Sequence, residues 1–263
     1  MAMTSPVNFD TDYLRQQVMM TYDKVAHNPD GEYHFHRGPA YASRFLGYDP
    51  DELAKLPRVT TARFAGVGNP ISIGPIEPGQ SVLDHACGAG MDLLLAARRV
   101  GPTGKAIGVD MTPAMVSCAR AGAELAGLDR IVEVHQGVYE ELPLEDESVD
   151  IVISNGVVNL APDKRQVFAE IYRVLKPAGK LYLADVIVQR ELTEDARGNP
   201  ELWAACVGGA MVESELLELA EQVGLNFGHI TRRFNCFYNT PAEVKVAKDL
   251  FVHGANFTAQ KGA

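Results

Sequence analysis

Val82-Leu83-Asp84-His85-Ala86-Cys87-Gly88-Ala89-Gly90 reads as a buried strand running into a tight turn of small residues. The apolar helical run Asp92–Val100 follows, and then a second strand, Ala106-Ile107-Gly108-Val109-Asp110, that ends in its own acid. Small residues let the backbone approach a ligand closely. An acid at the tip of the second strand can accept hydrogen bonds from a ribose diol. Asp84 and Asp110 are 26 positions apart, room for one strand–helix–strand unit. The pattern predicts a nucleoside-like ligand.

Two ligand classes use such a unit. A dinucleotide site needs G-x-G-x-x-G, with the pyrophosphate at the helix N-terminus. Gly88-Ala89-Gly90-Met91-Asp92-Leu93 lacks the third glycine and sets Asp92 where a phosphate would lie. Asp84 can order the loop or meet a cationic amino-acid end. S-adenosylmethionine carries an amine, a sulfonium and a ribose but no phosphate, so the residues favour it over a dinucleotide.

Outward from this unit, strands are expected at Ser81–His85, Ala106–Asp110, Ile131–His135, Asp150–Ser154 and Lys180–Val188. Helices are expected at Asp92–Val100, Pro113–Ala126 and Asp163–Leu175. Thr112-Pro113 is a start signal and Gly127 a stop. Apolar strands alternating with helices imply a doubly wound, mostly parallel α/β sheet with its ligand at the carboxyl ends of the strands. Residues 1–78 read as an N-terminal helical cap, 79–188 as the ligand-binding core, and 189–263 as an insert plus the end of the sheet. The cap should start with a helix from Asp10 to Asn28, capped by Asp10 or Thr11. Gln189–Met211 reads as a long loop, the kind that often forms a lid. Ser214–Val223 reads as a helix, Asn226–Tyr238 as an antiparallel pair, Pro241–Phe251 as a last helix, and Thr258–Ala263 as a disordered tail.

The phrases V-L-D-x-x-C-G-x-G, G-V-D-M-T, E-x-L-P (Glu140–Pro143), D-I-V-I-S-N and R-V-L-K-P-x-G resemble the class I S-adenosylmethionine-dependent methyltransferases, from about Gly79 to Asp185. Val109–Pro113, Ile153–Asn155 with Val158–Leu160, Asp163-Lys164 and Cys206–Ala210 resemble the arsenite methyltransferase branch, extending the likeness to roughly Gly66–Gly224. The resemblance implies a Rossmann-like seven-stranded sheet and S-adenosylmethionine as methyl donor.

Candidate residues follow. Asp110 should take the ribose hydroxyls. Met111 can cover an adenine face with its thioether or simply pack. Asp84, Ala86, Cys87, Gly88 and Gly90 form the turn under the methionine part; Ala86 stands where the family usually has glycine. By resemblance, the backbone near Tyr139 meets the adenine, with Val138 where the family often has an acid. Glu140 is a neighbour of the adenine or a solvated loop acid. Ser154 and Asn155 end the fourth strand beside the transferable methyl; Asn155 orients an acceptor or closes the turn. His34 and His36 hold the cap together or supply a base; no third ligand for a metal is evident.

In the arsenite branch, thiols come from the cap loop, the loop after the fourth strand and the C-terminal insert. The matching residues here are Val67, Gly156 and Cys206, of which only the last is a thiol. Soft trivalent arsenic favours thiolates. Cys206 is therefore the candidate substrate-side residue, binding a soft atom or lining a pocket. The acceptor is either a metalloid or a small organic nucleophile; a third reading is a binding module without turnover.

The chain has 263 residues, 46% of them apolar, which suits a sizeable core. Its net charge of −10 argues against a nucleic-acid backbone as partner. No apolar run approaches a membrane span, and the N-terminus does not read as a secretion signal. Four cysteines without paired spacing fit reduced thiols in a cytoplasm. The expected partner is a small molecule, with oligomeric state left open.

Overall fold

The computed structural model describes residues 4–6, 9–204, 206–240, 243 and 251–263. Four helices come first: α1 (Thr11–His27), α2 (Gly38–Leu46), α3 (Pro50–Leu53) and α4 (Arg58–Thr61). The alternating core is β1 (Ser81–His85), α5 (Met91–Val100), β2 (Lys105–Asp110), α6 (Pro113–Leu125), β3 (Val132–Gln136), β4 (Val149–Asn155), α7 (Lys164–Val174) and β5 (Leu175–Val188). Then come α8 (Glu194–Arg197), α9 (Pro200–Ala204), β6 (Met211–Val212), α10 (Glu213–Gln222), β7 (Leu225–Phe234) and β8 (His253–Lys261).

The strand order is β3-β2-β1-β4-β5-β8-β7, with β6 pairing beside β5 off this path. The pairs β1–β2, β1–β4, β2–β3 and β4–β5 are parallel. β8 runs antiparallel to both β5 and β7. This is the doubly wound, mostly parallel sheet expected from the alternation of buried strands and helices. Order reverses between β1 and β4, which puts the switch point at the carboxyl end of β1.

Alternation along the strands sorts side chains into two cores, because successive Cβ atoms point to opposite faces. Val82, Ile151 and Ile153 pack with Leu93 and Leu94 of α5 on one face, which also receives cap residues such as Leu14 and Leu46. Leu83, Val152 and Leu183 pack with Phe168 and Ile171 of α7 and Leu219 of α10 on the other. Burying a large aliphatic side chain contributes roughly 1.5–3 kcal/mol, so both faces are firmly committed. By the same parity Asp84 and Asn155 belong to the cap face, and His85 and Ser154 to the opposite one.

The first helix begins as expected. Asp10 caps α1 by accepting the Tyr13 N–H at 2.8 Å. α1 and α4 both pack on α6, and Val18, Tyr22 and Thr60 line the same cavity as Asp110 at the end of β2.

The C-terminal third departs from the expectation. Asn226–Tyr238 is not a hairpin; β7 pairs instead with β8, so Thr258–Lys261 is strand and not a disordered tail. The reason is tertiary. Ala255, Phe257 and Ala259 bury one face of β8, and Lys261 Nζ donates to the Leu175 and Tyr172 carbonyls at 2.8 and 3.0 Å. These partners lie far away in sequence. The insert also carries structure: Trp203 of α9 is 1% exposed, bonds the Arg197 carbonyl at 2.7 Å and lies against Phe9. Most of the helix expected at Pro241–Phe251 lies outside the described residues.

Candidate active site

β1 and β2 end side by side, and the turn after β1 needs unusual backbone. Ala86, Gly88 and Gly90 all have positive φ, at 62°, 52° and 87°. This left-handed geometry is easy for glycine and costs an alanine about 1–2 kcal/mol. It turns the chain sharply between β1 and α5 and leaves room over the loop. The Gly88 N–H donates to Asp110 Oδ2 at 2.8 Å, and the Thr112 N–H to Asp110 Oδ1 at 2.9 Å. The two backbone donors fix this carboxylate in one orientation. A carboxylate has about four lone-pair sites, so capacity for further hydroxyl donors remains.

A cavity opens at this point, about 850 Å³ including its mouth. Its floor is Asp84, Ala86, Cys87, Gly88, Asp92, Asp110 and Met111; its roof is Val18 and Tyr22 of α1, Thr60 of α4, and Arg63–Gly66. Tyr139 and Asn155 close its sides. Asp84 Oδ2 is buried with no hydrogen-bond partner among the described residues.

Three carboxyl groups in one enclosed space define its electrostatics. Burial, then the charges of Asp92 and Asp110, hold Asp84 well above the usual carboxylate range. Burial pushes Asp92 up to about 6, against the pull of hydrogen bonds from Asn155 and Tyr48 and the charge of Arg99. Burial also raises Asp110, opposed by its Thr112 and Gly88 backbone donors. Such a cavity is short of positive charge, and a cationic ligand would lower all three again.

Residues 76–224 match the family described as a methyltransferase domain. The chain belongs to that family. This methyltransferase domain is 42% identical to the arsenite methyltransferase of Halobacterium salinarum over 185 residues, 70% of this chain and 47% of that protein. It is 36% identical to the arsenite methyltransferase of Aquipseudomonas alcaligenes over 179 residues, 65% of this chain and 51% of that protein. The chain thus spans about half the length of the curated relatives it matches. Among solved structures it is similar to an arsenic(III) S-adenosylmethionine methyltransferase from Chlamydomonas reinhardtii, at 33% identity and a TM-score of 0.70, covering 81% of this chain and 72% of that one.

Of the residues singled out in the sequence of this methyltransferase domain, Asp84, Ala86, Cys87, Gly88, Asp110, Met111, Tyr139 and Asn155 line the cavity. Gly90 sits just beneath, where an added Cβ would lie 3.1 Å from Ala119 Cβ. Four others lie elsewhere. Ser154 faces the far side of the sheet, its Oγ 3.3 Å from His85 Nδ1. Val138 is half-exposed and bridges Glu141. Glu140 accepts from Arg15 Nη2 at 3.1 Å and so ties α1 to the loop after β3. Cys206 is buried in the turn after α9, with φ at 62°, outside the cavity lining.

Asn155 lines the cavity, but its amide is already engaged. Its Oδ1 accepts from the Val67 N–H at 2.9 Å, and its Nδ2 donates to Asp92 Oδ2 at 2.9 Å. Asp92 and Arg63 are cavity residues that motif reading did not assign. Asp92 had a visible signal, being an acid directly after the glycine turn. Arg63 had none. Tyr22 approaches both sides of the site: burial raises its phenol most, followed by the nearby charges of Cys206, Asp110 and Asp185. His34 and His36 lie in the cap, where His36 Nε2 is 2.6 Å from the Tyr238 carbonyl and its ring stacks on Phe45. No group of three or more metal-ligating side chains occurs among the described residues.

Proposed function

We propose that this chain is an S-adenosylmethionine-dependent methyltransferase acting on a small molecule. The observation that carries the reading is the convergence of Asp84, Asp92 and Asp110 on one cavity at the ends of β1 and β2. S-adenosylmethionine supplies an electrophilic methyl group on a sulfonium. Asp110, oriented by Gly88 and Thr112, suits a ribose diol. Asp84 and Asp92 suit the cationic end, and the free Oδ2 of Asp84 gains a partner there. Met111 and Tyr139 offer apolar surface to an adenine. α1 and the Arg63–Gly66 segment cover the site and keep water out. Holding nucleophile, carbon and leaving sulfur in line is the main catalytic task.

The scaffold resembles the arsenite methyltransferases, and a metalloid acceptor is the reading that follows from the relatives. One observation favours a small organic nucleophile instead. At Gly156, an added Cβ would lie 3.4 Å from Val67 Cγ1. Two of the three positions where the branch sets thiols therefore adjoin one another, and neither can ligate. Burial, and then the Asp185 charge, pushes the Cys206 thiol up to about 12, whereas the metal-binding species is the thiolate. We read residues 1–78 as a cap, 79–188 as the donor-binding core and 189–263 as an insert completing the sheet. The four free cysteines and the net charge of −10 support work on small molecules in a cytoplasm, not on nucleic acid. No helix among the described residues is long and apolar enough to cross a membrane.

A turnover screen with labelled donor tests this, offering arsenite and a panel of oxygen, nitrogen and sulfur nucleophiles. Methylation of an organic acceptor that survives Cys206→Ser supports the organic reading. Thiol-dependent arsenite methylation lost in Cys206→Ser establishes the metalloid reading. Donor binding without turnover on any acceptor leaves a binding module.

A further inference from the structure

Asp84, Asp92 and Asp110 line the cavity, and among the described residues one cation joins them there, Arg63. Two backbone carbonyls hold its guanidinium. Nε donates to the Ala26 carbonyl near the end of α1 at 2.7 Å, and Nη1 to the Val59 carbonyl of α4 at 3.1 Å. An arginine has five N–H donors in a fixed fork, so three remain, two of them on Nη2. None of the three bonds a described residue, and Arg63 forms no ion pair with Asp84, Asp92 or Asp110.

The surroundings of Arg63 fix its side of the cavity. Ala26, whose carbonyl it bonds, packs in one small cluster with Ala89 of the β1 turn and Met115 of α6, and Cys118 lies against that cluster. Burial raises the Cys118 thiol and the Arg63 charge draws it back. Arg63 therefore lies toward the Gly88–Gly90 turn, where Asp84 and Asp92 suit the cationic end of the donor. That end carries two opposite charges on one carbon, an α-ammonium and an α-carboxylate. The acids attract the ammonium and the sulfonium but repel the carboxylate. The open N–H fork of Arg63 matches the two oxygens of a carboxylate.

We propose that Arg63 takes the α-carboxylate of the methyl donor and sets a preference for donors that keep it. The inference rests on the methyl-donor reading above and assigns the one charged group of the donor left without a partner there. Decarboxylated S-adenosylmethionine keeps the ribose, the sulfonium and the amine. It is more cationic than the full donor, so an acid-rich cavity deprived of Arg63 should favour it. Selection between the two forms then depends on a single side chain.

Titration calorimetry on the full chain tests this with three ligands: S-adenosylmethionine, its decarboxylated form, and S-adenosylhomocysteine, which keeps the carboxylate and lacks the sulfonium charge. The wild type should bind S-adenosylmethionine about ten- to a hundredfold more tightly than the decarboxylated form. In Arg63→Gln that difference should vanish or reverse, because only ligands with the carboxylate lose affinity. S-adenosylhomocysteine should weaken by the same factor as S-adenosylmethionine. Arg63→Met, which keeps a long stem, provides the same comparison if Arg63→Gln unfolds. Equal affinity of the wild type for the two donor forms, or a difference retained in a folded variant, overturns the Arg63 assignment alone. Equal weakening of both forms in the variant also overturns it, by showing that Arg63 only ties α1 to α4. Absence of S-adenosylmethionine binding to the wild type overturns the donor reading and the assignment with it.

Discussion

The Gly88 N–H and the Asp110 carboxylate are joined by a 2.8 Å hydrogen bond that ties the turn after β1 to the tip of β2. The bond requires Gly88 at φ 52°, yet an added Cβ there would meet nothing within 4 Å. Gly88→Ala should therefore cost only backbone strain, about 1 kcal/mol. Thermal unfolding should fall by roughly 2–4 °C. A loss three times larger would show that packing, not conformation, selects glycine at this position.

Ala86 presents the converse case. It holds a glycine-like φ of 62° in the same turn. Ala86→Gly removes a strain of about 1–2 kcal/mol and gains unfolded-chain freedom that costs the smaller amount of about 0.4–1 kcal/mol. The net change in denaturant unfolding should be a stabilisation of about 0.5–1 kcal/mol, with donor affinity unchanged. Destabilisation would contradict the strain assignment.

Donor affinity should depend on pH through the cavity carboxylates. Asp92 sits at about 6, above its ordinary value, because of burial. A bound cation lowers it again, so binding releases protons and strengthens as pH rises through that range. Affinity for S-adenosylmethionine should rise about tenfold from pH 5 to 7, and the rise should shrink in Asp92→Asn. Unfolding of the free protein is a poorer readout. A carboxyl group raised in the fold contributes stability below its unfolded value that is lost as pH climbs through about 6. His85, lowered by burial to about 4, contributes the opposite slope between about 4 and its unfolded value. Facing away from the cavity, His85 leaves the donor measurement clean.

Lys164 is fully buried, donates to the Ala161 carbonyl at 3.0 Å and lies 4.4 Å from the Trp203 ring centre. Burial is the main cause that lowers it to about 7. The unfolded chain therefore holds this proton to higher pH than the fold does, so stability should rise by about 2–3 kcal/mol between pH 7 and 9. Lys164→Met keeps the volume and should abolish that rise in urea denaturation. A persistent rise would place its origin elsewhere.

Sequence and structure agree most closely where local signals coincide. Ser81–His85 is bounded by the same residues in both, because an apolar run meets a glycine turn there. The place of Asp110 at the tip of β2 was legible because one strand–helix–strand unit fixes it. The side of the sheet was legible in principle, since alternation alone separates Asn155 from Ser154. β8 was not legible, because Gly-Ala-Asn-Phe-Thr-Ala-Gln-Lys is short and mixed, and its strand state comes from pairing with both β5 and β7. Tyr48 and Arg63 were missed for a related reason. Cap residues reach the site through tertiary packing, with no motif of their own.

The central claim is that Asp110 grips the ribose of a sulfonium cofactor bound over the β1 turn. Titration calorimetry of S-adenosylmethionine into the wild type and into Asp110→Ala tests it most directly. Hydrogen bonds to a charged group contribute about 1.5–3 kcal/mol each, so the wild type should bind one equivalent and the variant at least tenfold more weakly. Equal affinity in the two proteins, or no heat with the wild type, would contradict the account.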